Sequence, residues 1–127
     1  MHTREILLHK TAGRVAIRDT VEGGGIHRLV WRFHLDPALD AAVQGDGVRL
    51  RRKEQVVWFL PVTLPPAAEV RIEGGWVSPS YGIKLPTSVV VVDATVPVPT
   101  SAVYLFADAP LDAGERARWT VFPGDAA

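Results

Sequence analysis

The sequence contains no cysteine and carries no excess charge of either sign. Without cysteine the chain forms no disulfide, iron–sulfur cluster or thiolate zinc site, although this absence does not identify a compartment. Its 14 basic side chains balance 14 acidic ones, so no net field attracts a nucleic acid or a membrane surface. No segment approaches the roughly 20 apolar residues that cross a bilayer, and the first ten residues, MHTREILLHK, lack the apolar core of a signal peptide. We therefore expect a soluble chain with no nucleic-acid or membrane partner and no cofactor, and its localisation stays open between periplasm and cytoplasm.

The sequence consists mainly of short segments that favour extended structure. The chain has 127 residues, which suits a single domain over 1–127 with one hydrophobic core. Ten prolines and eleven glycines divide it into short pieces, and valine is the main branched residue, a composition that favours strands over helices. The spacing predicts an all-β fold, an antiparallel two-sheet β-sandwich of about eight to ten short strands.

The segment Ile26–Leu35, written IHRLVWRFHL, shows the clearest alternation. Leu29, Trp31 and Phe33 share one side of a strand, whereas arginines occupy the other, a period of two that is typical of a half-buried strand. We predict that this strand is central in its sheet. The three glycines at 23–25 precede it, and we predict that they form a hairpin link from the strand before.

The remaining strands follow from alternation and turn residues. They are predicted at Arg4–His9, Arg14–Thr20, Val48–Arg52, Val56–Leu60, Glu69–Glu73, Ser88–Val96, Ala102–Phe106 and Trp119–Phe122. The four consecutive valines at 89–92 indicate a strand that is buried on both faces, and Gly74-Gly75 is predicted to end the strand before it. Two short helical segments are expected, one turn at Asp36–Leu39 and a capped helix after Asp112 with Glu115 at the third position.

No group of polar residues predicts a catalytic or metal centre. His27 and His34 have opposite parity on one strand, so they cannot share a metal from that strand alone, and only an approach of His9 to His27 stays open. Four serines are interpreted as turn residues rather than nucleophiles: Ser78, Ser80, Ser88 and Ser101. Four acids are interpreted as solvated residues, mostly at strand ends, rather than glycosidase carboxylates: Asp19, Glu22, Asp93 and Asp108. We therefore name no catalytic residue and no metal ligand.

The aromatic residues offer the main candidate binding site. Trp31 and Trp58 fall in the middle of strands, where they are expected to fill the core, whereas Trp76, Tyr81 and Trp119 fall in or beside turns. Sugar rings stack on exposed indole and phenol faces. Trp76, Tyr81 and Lys84 are therefore the candidate substrate-binding residues, and the alternative is a loop that is anchored by its own aromatic side chains.

Three segments together resemble the carboxy-terminal β-sandwich of the heparinase II/III family of polysaccharide lyases. They are Asp19-Thr-Val-Glu-Gly-Gly-Gly-Ile-His27, His34-Leu35-Asp36-Pro37 and Trp76-Val-Ser-Pro-Ser-Tyr81-Gly82. The opening His2-Thr3-Arg4 looks like the edge of the family's His-Arg-Arg segment. The resemblance covers nearly the whole chain.

The resemblance implies that this domain is the C-terminal part of a larger protein. Such lyases join an α-helical toroid to a sheet domain, and they cleave acidic polysaccharides by removing the proton α to a uronate carboxylate. In such lyases the tyrosine that acts as acid and base belongs to the toroid, together with the histidine and the asparagine or arginine that assist it. A further histidine lies in a His-x-His-x-Asp segment at the beginning of the sheet region. Neither piece occurs here, so the resemblance implies a noncatalytic domain that packs against the toroid and helps shape the polysaccharide cleft.

Other functions stay open at this stage. The chain could be a self-sufficient carbohydrate-binding module, or a structural or protein-binding sandwich with an exposed apolar patch. A homodimer through an edge strand, or through the surface that faces the toroid, is a further alternative. A small independent enzyme is the least favoured hypothesis, because proton abstraction requires a positioned base and neutralisation of the carboxylate in one cleft.

Overall fold

The computed structural model describes residues 1–125, which form nine strands and one short helix. In chain order they are β1 (His2–His9), β2 (Arg14–Val21), β3 (Ile26–His34), β4 (Asp40–Gln44), β5 (Gly47–Arg52), β6 (Gln55–Thr63), β7 (Glu69–Val77), β8 (Leu85–Pro97), β9 (Thr100–Ala107) and α1 (Ala113–Arg118). All strand pairs are antiparallel. One sheet has the order β1-β2-β9-β6-β5-β4 and the other has the order β3-β8-β7. The predicted all-β two-sheet sandwich is therefore confirmed. Within the described residues, no helix has the length and apolar character needed to span a bilayer.

The main core lies between the two sheets. Phe33 of β3 packs against Phe59 and Tyr104 of the larger sheet, with ring centroids 5.3 and 5.2 Å apart. The valines of β8 confirm the prediction that this strand is buried on both faces. Val90 and Val92 enter the core. Val89 and Val91 are buried on the opposite face, where Val91 lies between Arg32 and Arg71 in the ladder.

Strand β3 has the predicted alternation but not the predicted position. Trp31 is buried, and Leu29 and Phe33 pack against the core beside it. The strand nevertheless lies at the edge of its sheet, and β8 occupies the centre. The predicted hairpin with β2 is also wrong, because β1 and β9 already pair with both sides of β2. The glycine link instead crosses from one sheet to the other, and positive φ angles at Gly23 (139°) and Gly25 (80°) allow this change of direction.

The predicted hairpin between β5 and β6 is confirmed, and Val48 and Leu50 point into the core. Strand β4, which precedes it, is not predicted from the sequence. The predicted helical turn before β4 is a tight turn instead. The amide of Leu39 donates to the carbonyl oxygen of Asp36 at 2.9 Å, and the Asp36 carboxylate accepts from the amide of Ala38 at 2.8 Å.

The segment after β9 adds a third layer on the outer face of the larger sheet. The helix α1 begins as predicted, because the side chain of Asp112 accepts from the amide of Glu115 at 2.9 Å. The following residues, 119–122, are not a strand, which corrects that prediction. Phe122 is buried with Leu60 and Leu105 in a second apolar cluster. The aromatic side chains of Trp119 and Phe122 therefore cover the larger sheet and are not part of a strand.

Strand β7 continues through the two glycines that were predicted to end it. A Cβ added at Gly75 would lie 2.6 Å from Cγ2 of Val89, whereas one added at Gly74 would meet nothing within 4 Å. Glycine at position 75 is therefore required by close packing against β8 and not by a turn.

Candidate functional site

The candidate sugar-binding residues lie around the connection between β7 and β8. Trp76 is in the last part of β7, Lys84 immediately precedes β8, and Tyr81 lies in the loop between them. The Ser78 hydroxyl lies 2.9 Å from the carbonyl oxygen of Ser80 and 2.6 Å from that of Ile83. These contacts fold the loop back on itself and bring its second half beside Trp76.

The structure brings two of the three candidate residues together. The Lys84 Nζ atom lies 5.2 Å from the centroid of the Trp76 ring, which is within the range of a cation–π contact. Both residues line an open groove of about 360 Å³ together with Ile83 and Gly82. Tyr81 does not line this groove, and its side chain is fully exposed. The groove therefore offers one aromatic face beside one cation.

A second polar cluster lies at the edge of the core between β1 and β2. Asp19 is fully buried, and Arg4 donates to its two carboxylate oxygens at 2.7 and 2.9 Å. Nε2 of His2 lies 3.1 Å from the same carboxylate. The interpretation of Asp19 as a solvated acid is therefore wrong. The register explains the contact, because Arg4 lies directly opposite Asp19 in the ladder.

Charge and burial shape the properties of this cluster. The hydrogen bonds that Arg4 donates to Asp19 raise the pKa of Arg4, so the guanidinium stays charged. Burial raises the pKa of Tyr104 well above its ordinary value, and the Asp19 carboxylate contributes in the same direction. The Tyr104 hydroxyl has no hydrogen-bond partner among the described residues. The cluster consequently holds one charge pair and one neutral phenol.

An ion-pair network covers the outer face of the smaller sheet. Arg28 donates two hydrogen bonds to Asp93, at 3.0 and 2.6 Å. Arg71 donates to Asp93 at 2.9 Å and to Glu73 at 2.6 Å, so it links the two acids. Arg32 completes the chain at 3.2 Å from Glu73. Hydrogen bonds from Arg28 and then Arg71 hold the pKa of Asp93 far below its usual range, and those from Arg71 and Arg32 lower the pKa of Glu73. Asp93 is therefore a paired residue within β8 and not a solvated acid at a strand end.

His9 and His27 contact backbone oxygens in different segments of the chain. Nε2 of His9 lies 2.8 Å from the carbonyl oxygen of Trp119, and Nε2 of His27 lies 2.8 Å from that of Gly24. In the part of the chain that the structure describes, no three histidine or acidic side chains are grouped closely enough to hold a metal ion.

The serines divide between loops and strands. Ser78 and Ser80 lie in the β7–β8 loop, as predicted. Ser88 and Ser101 lie within β8 and β9, so their interpretation as turn residues is wrong. Both serines lie in the first few residues of their strands, and a single serine does not show where a turn ends and a strand begins.

The geometry defines an antiparallel β-sandwich with an aromatic and cationic groove at the loop between β7 and β8. A family model described as "Heparinase II/III-like, C-terminal" matches residues 1–119, which extend from β1 to the end of α1. The chain belongs to this family, as the resemblance predicted. No curated protein and no solved structure matches the chain.

Proposed function

We propose that this chain is the noncatalytic C-terminal sandwich of a heparinase II/III-like polysaccharide lyase. In this proposal it packs against a helical toroid domain and forms one side of the cleft for acidic polysaccharide. The match of residues 1–119 to the C-terminal family is the observation that carries the proposal. The resemblance assigns the catalytic tyrosine and its helpers to other parts of such lyases.

The groove beside Trp76 supports contact with an acidic sugar. The exposed indole can stack on a sugar ring, and the Lys84 ammonium can pair with a uronate carboxylate or a sulfate. Ile83 and Leu85 are exposed beside the same loop. Exposed apolar side chains in one region favour a protein contact next to the sugar site, which is the arrangement expected at the boundary with a toroid.

A product assay tests the noncatalytic assignment. The purified chain is incubated with heparin, heparan sulfate or alginate, and unsaturated uronate is followed by its ultraviolet absorbance. We expect no product from the chain alone, because proton abstraction requires a base and carboxylate neutralisation in one cleft. Product formation by the pure chain would overturn the assignment.

A binding assay tests the groove and the alternative function. Titration calorimetry with acidic oligosaccharides compares the natural chain with Trp76→Ala and Lys84→Gln, and Lys10→Gln serves as an exposed charge control. If the groove contacts sugar, we expect weaker binding in the first two variants and unchanged binding in the control. Saturable binding by the isolated chain would favour a carbohydrate-binding module, whereas binding that requires an added toroid domain would favour the accessory role.

A further inference from the structure

The smaller sheet ends at β3, whose outer side pairs with no strand in residues 1–125. The amide of Leu35 donates to the carbonyl oxygen of Ser88 at 3.1 Å, which continues the β3–β8 register. Because alternate residues of an antiparallel strand bond to the same neighbour, the odd-numbered residues of β3 face β8. The N–H and C=O groups of Arg28, Val30 and Arg32 therefore point away from the sheet and are free to pair.

The larger sheet extends beyond this edge and leaves apolar side chains uncovered. Ile6 and Leu8 of β1 share the inner side of their strand with Arg4, yet they are 64% and 54% exposed. The Arg4 guanidinium lies 5.3 Å from the centroid of the Phe33 ring, which places β1 beside β3 across the open side of the sandwich. Because His2 lines a pocket with Leu29, Val30 and Trp31, a strand added to β3 at the usual spacing of about 4.8 Å would lie over the inner side of β1 from His2 towards Ile6.

The outward side of β3 itself carries two arginines and no acidic residue. Three guanidinium groups and two carboxylates form the ion-pair network, and Glu69, opposite Asp93 on the same face, balances the third cation. The positive charge is therefore concentrated on β3, whereas the acids lie on β8 and β7. Arg28 and Arg32 lie on the edge strand and are exposed. Only one nitrogen of Arg32 is bonded to Glu73. An added strand would place its outward side chains beside these two arginines, and acidic residues fit that position.

We propose that β3 binds an extended segment of a partner polypeptide as a fourth strand of the smaller sheet. The segment alternates apolar residues, which lie over the inner side of β1 towards Ile6, with acidic residues, which pair with Arg28 and Arg32. Backbone hydrogen bonds supply affinity in this mode, and the alternate side chains supply selectivity. This site is separate from the groove beside Trp76, so either proposal can fail without the other.

Fluorescence anisotropy with a labelled peptide tests the proposal. The probe is a peptide of alternating valine and glutamate, about as long as β3, and alternating valine and lysine is the charge control. A peptide of the first composition with its valines and glutamates in separate blocks is the pattern control. We expect saturable binding of the alternating acidic peptide and much weaker binding of both controls. Equal binding of the three peptides, or no binding, would overturn the proposal.

Protein variants locate the peptide on β3. Val30→Pro removes an N–H that points away from β8, so we expect the strand to persist and affinity to fall at least about tenfold. Arg32→Gln is expected to weaken binding about threefold at low salt, whereas Arg52→Gln removes the same charge from β5 and should change nothing. Unchanged affinity in Val30→Pro, or equal losses in the two arginine variants, would contradict the proposed site.

Amide hydrogen exchange gives a second readout that does not depend on the variants folding. With peptide bound, exchange at Arg28, Val30 and Arg32 should slow by at least about tenfold, while Leu29 and Trp31 are already protected by β8. Analytical ultracentrifugation of the peptide-free chain tests the other occupant. A dimer that protects the same three amides would overturn the partner peptide in favour of a second copy of this chain.

Discussion

Removal of the Asp19 carboxylate is expected to destabilise the domain more than removal of any exposed acid. In Asp19→Asn the Arg4 guanidinium loses a fully buried partner that it contacts through two hydrogen bonds. Breaking a buried pair in this way typically costs about 3–5 kcal/mol. The Arg4 side chain is 38% exposed and can regain some hydration, so we expect a loss of about 2–3 kcal/mol. For a chain of this length, that corresponds to a fall of roughly 10 °C in Tm.

Urea denaturation followed by tryptophan fluorescence measures this change as a shift of the unfolding midpoint. Asp108→Asn is the matched control, because Asp108 is 67% exposed and lies 3.4 Å from Arg14, and we expect a change below about 0.5 kcal/mol. In the double variant with Arg4→Gln, the loss should be smaller than the sum of the two single losses. A change below about 0.5 kcal/mol in Asp19→Asn would refute the view that this pair holds β1 on the sheet.

Three further perturbations address other parts of the molecule. The lowered pKa of Asp93 means that the folded state binds fewer protons there, so stability present above about pH 4 should be lost as pH falls. Acid unfolding should be less pH-dependent in Asp93→Asn, and an unchanged profile would contradict this. Gly75→Ala should lose about 1–3 kcal/mol in urea titrations through its clash with β8, and Gly74→Ala should not; equal effects would argue against the packing explanation. Phe122→Ala should cost about 3–5 kcal/mol in the same assay, with exposed Val121→Ala as its control, and a small loss would show that the third layer contributes little.

The alternation of apolar and polar residues within a segment correctly predicted those strands in which the apolar residues are the buried ones. The valines of β8 indicated burial on both faces, and β3 showed its inner face through Trp31 and Phe33. The position of β3 in its sheet could not be predicted, because it depends on which strands pair with β2 and β8. Those partners are distant in sequence, and alternation within one strand carries no information about them.

The remaining errors concern residues whose environment is created by other segments. Asp19 is buried because Arg4 lies opposite it across the β1–β2 ladder, and the residue type alone favours an exposed acid. The sequence predicts a strand at Trp119–Phe122 because an apolar pattern does not distinguish a segment that covers a sheet from a strand within it. In the candidate site, Trp76 lies beside the loop but within β7, because the strand continues through the two glycines that were predicted to end it. The separation of Tyr81 from the groove depends on how the loop folds back through Ser78.

The position of β9 has a consequence for how the protein is made. This strand lies between β2 and β6, so the amino-terminal hairpin and the β4–β6 meander have no direct contact as strands until β9 joins them. On the ribosome, both pieces keep open edges until Ala107 has left the exit tunnel and β9 has paired with them. Such edges are prone to pairing with other chains, and a nascent chain that stalls before this residue should therefore be a substrate for chaperones.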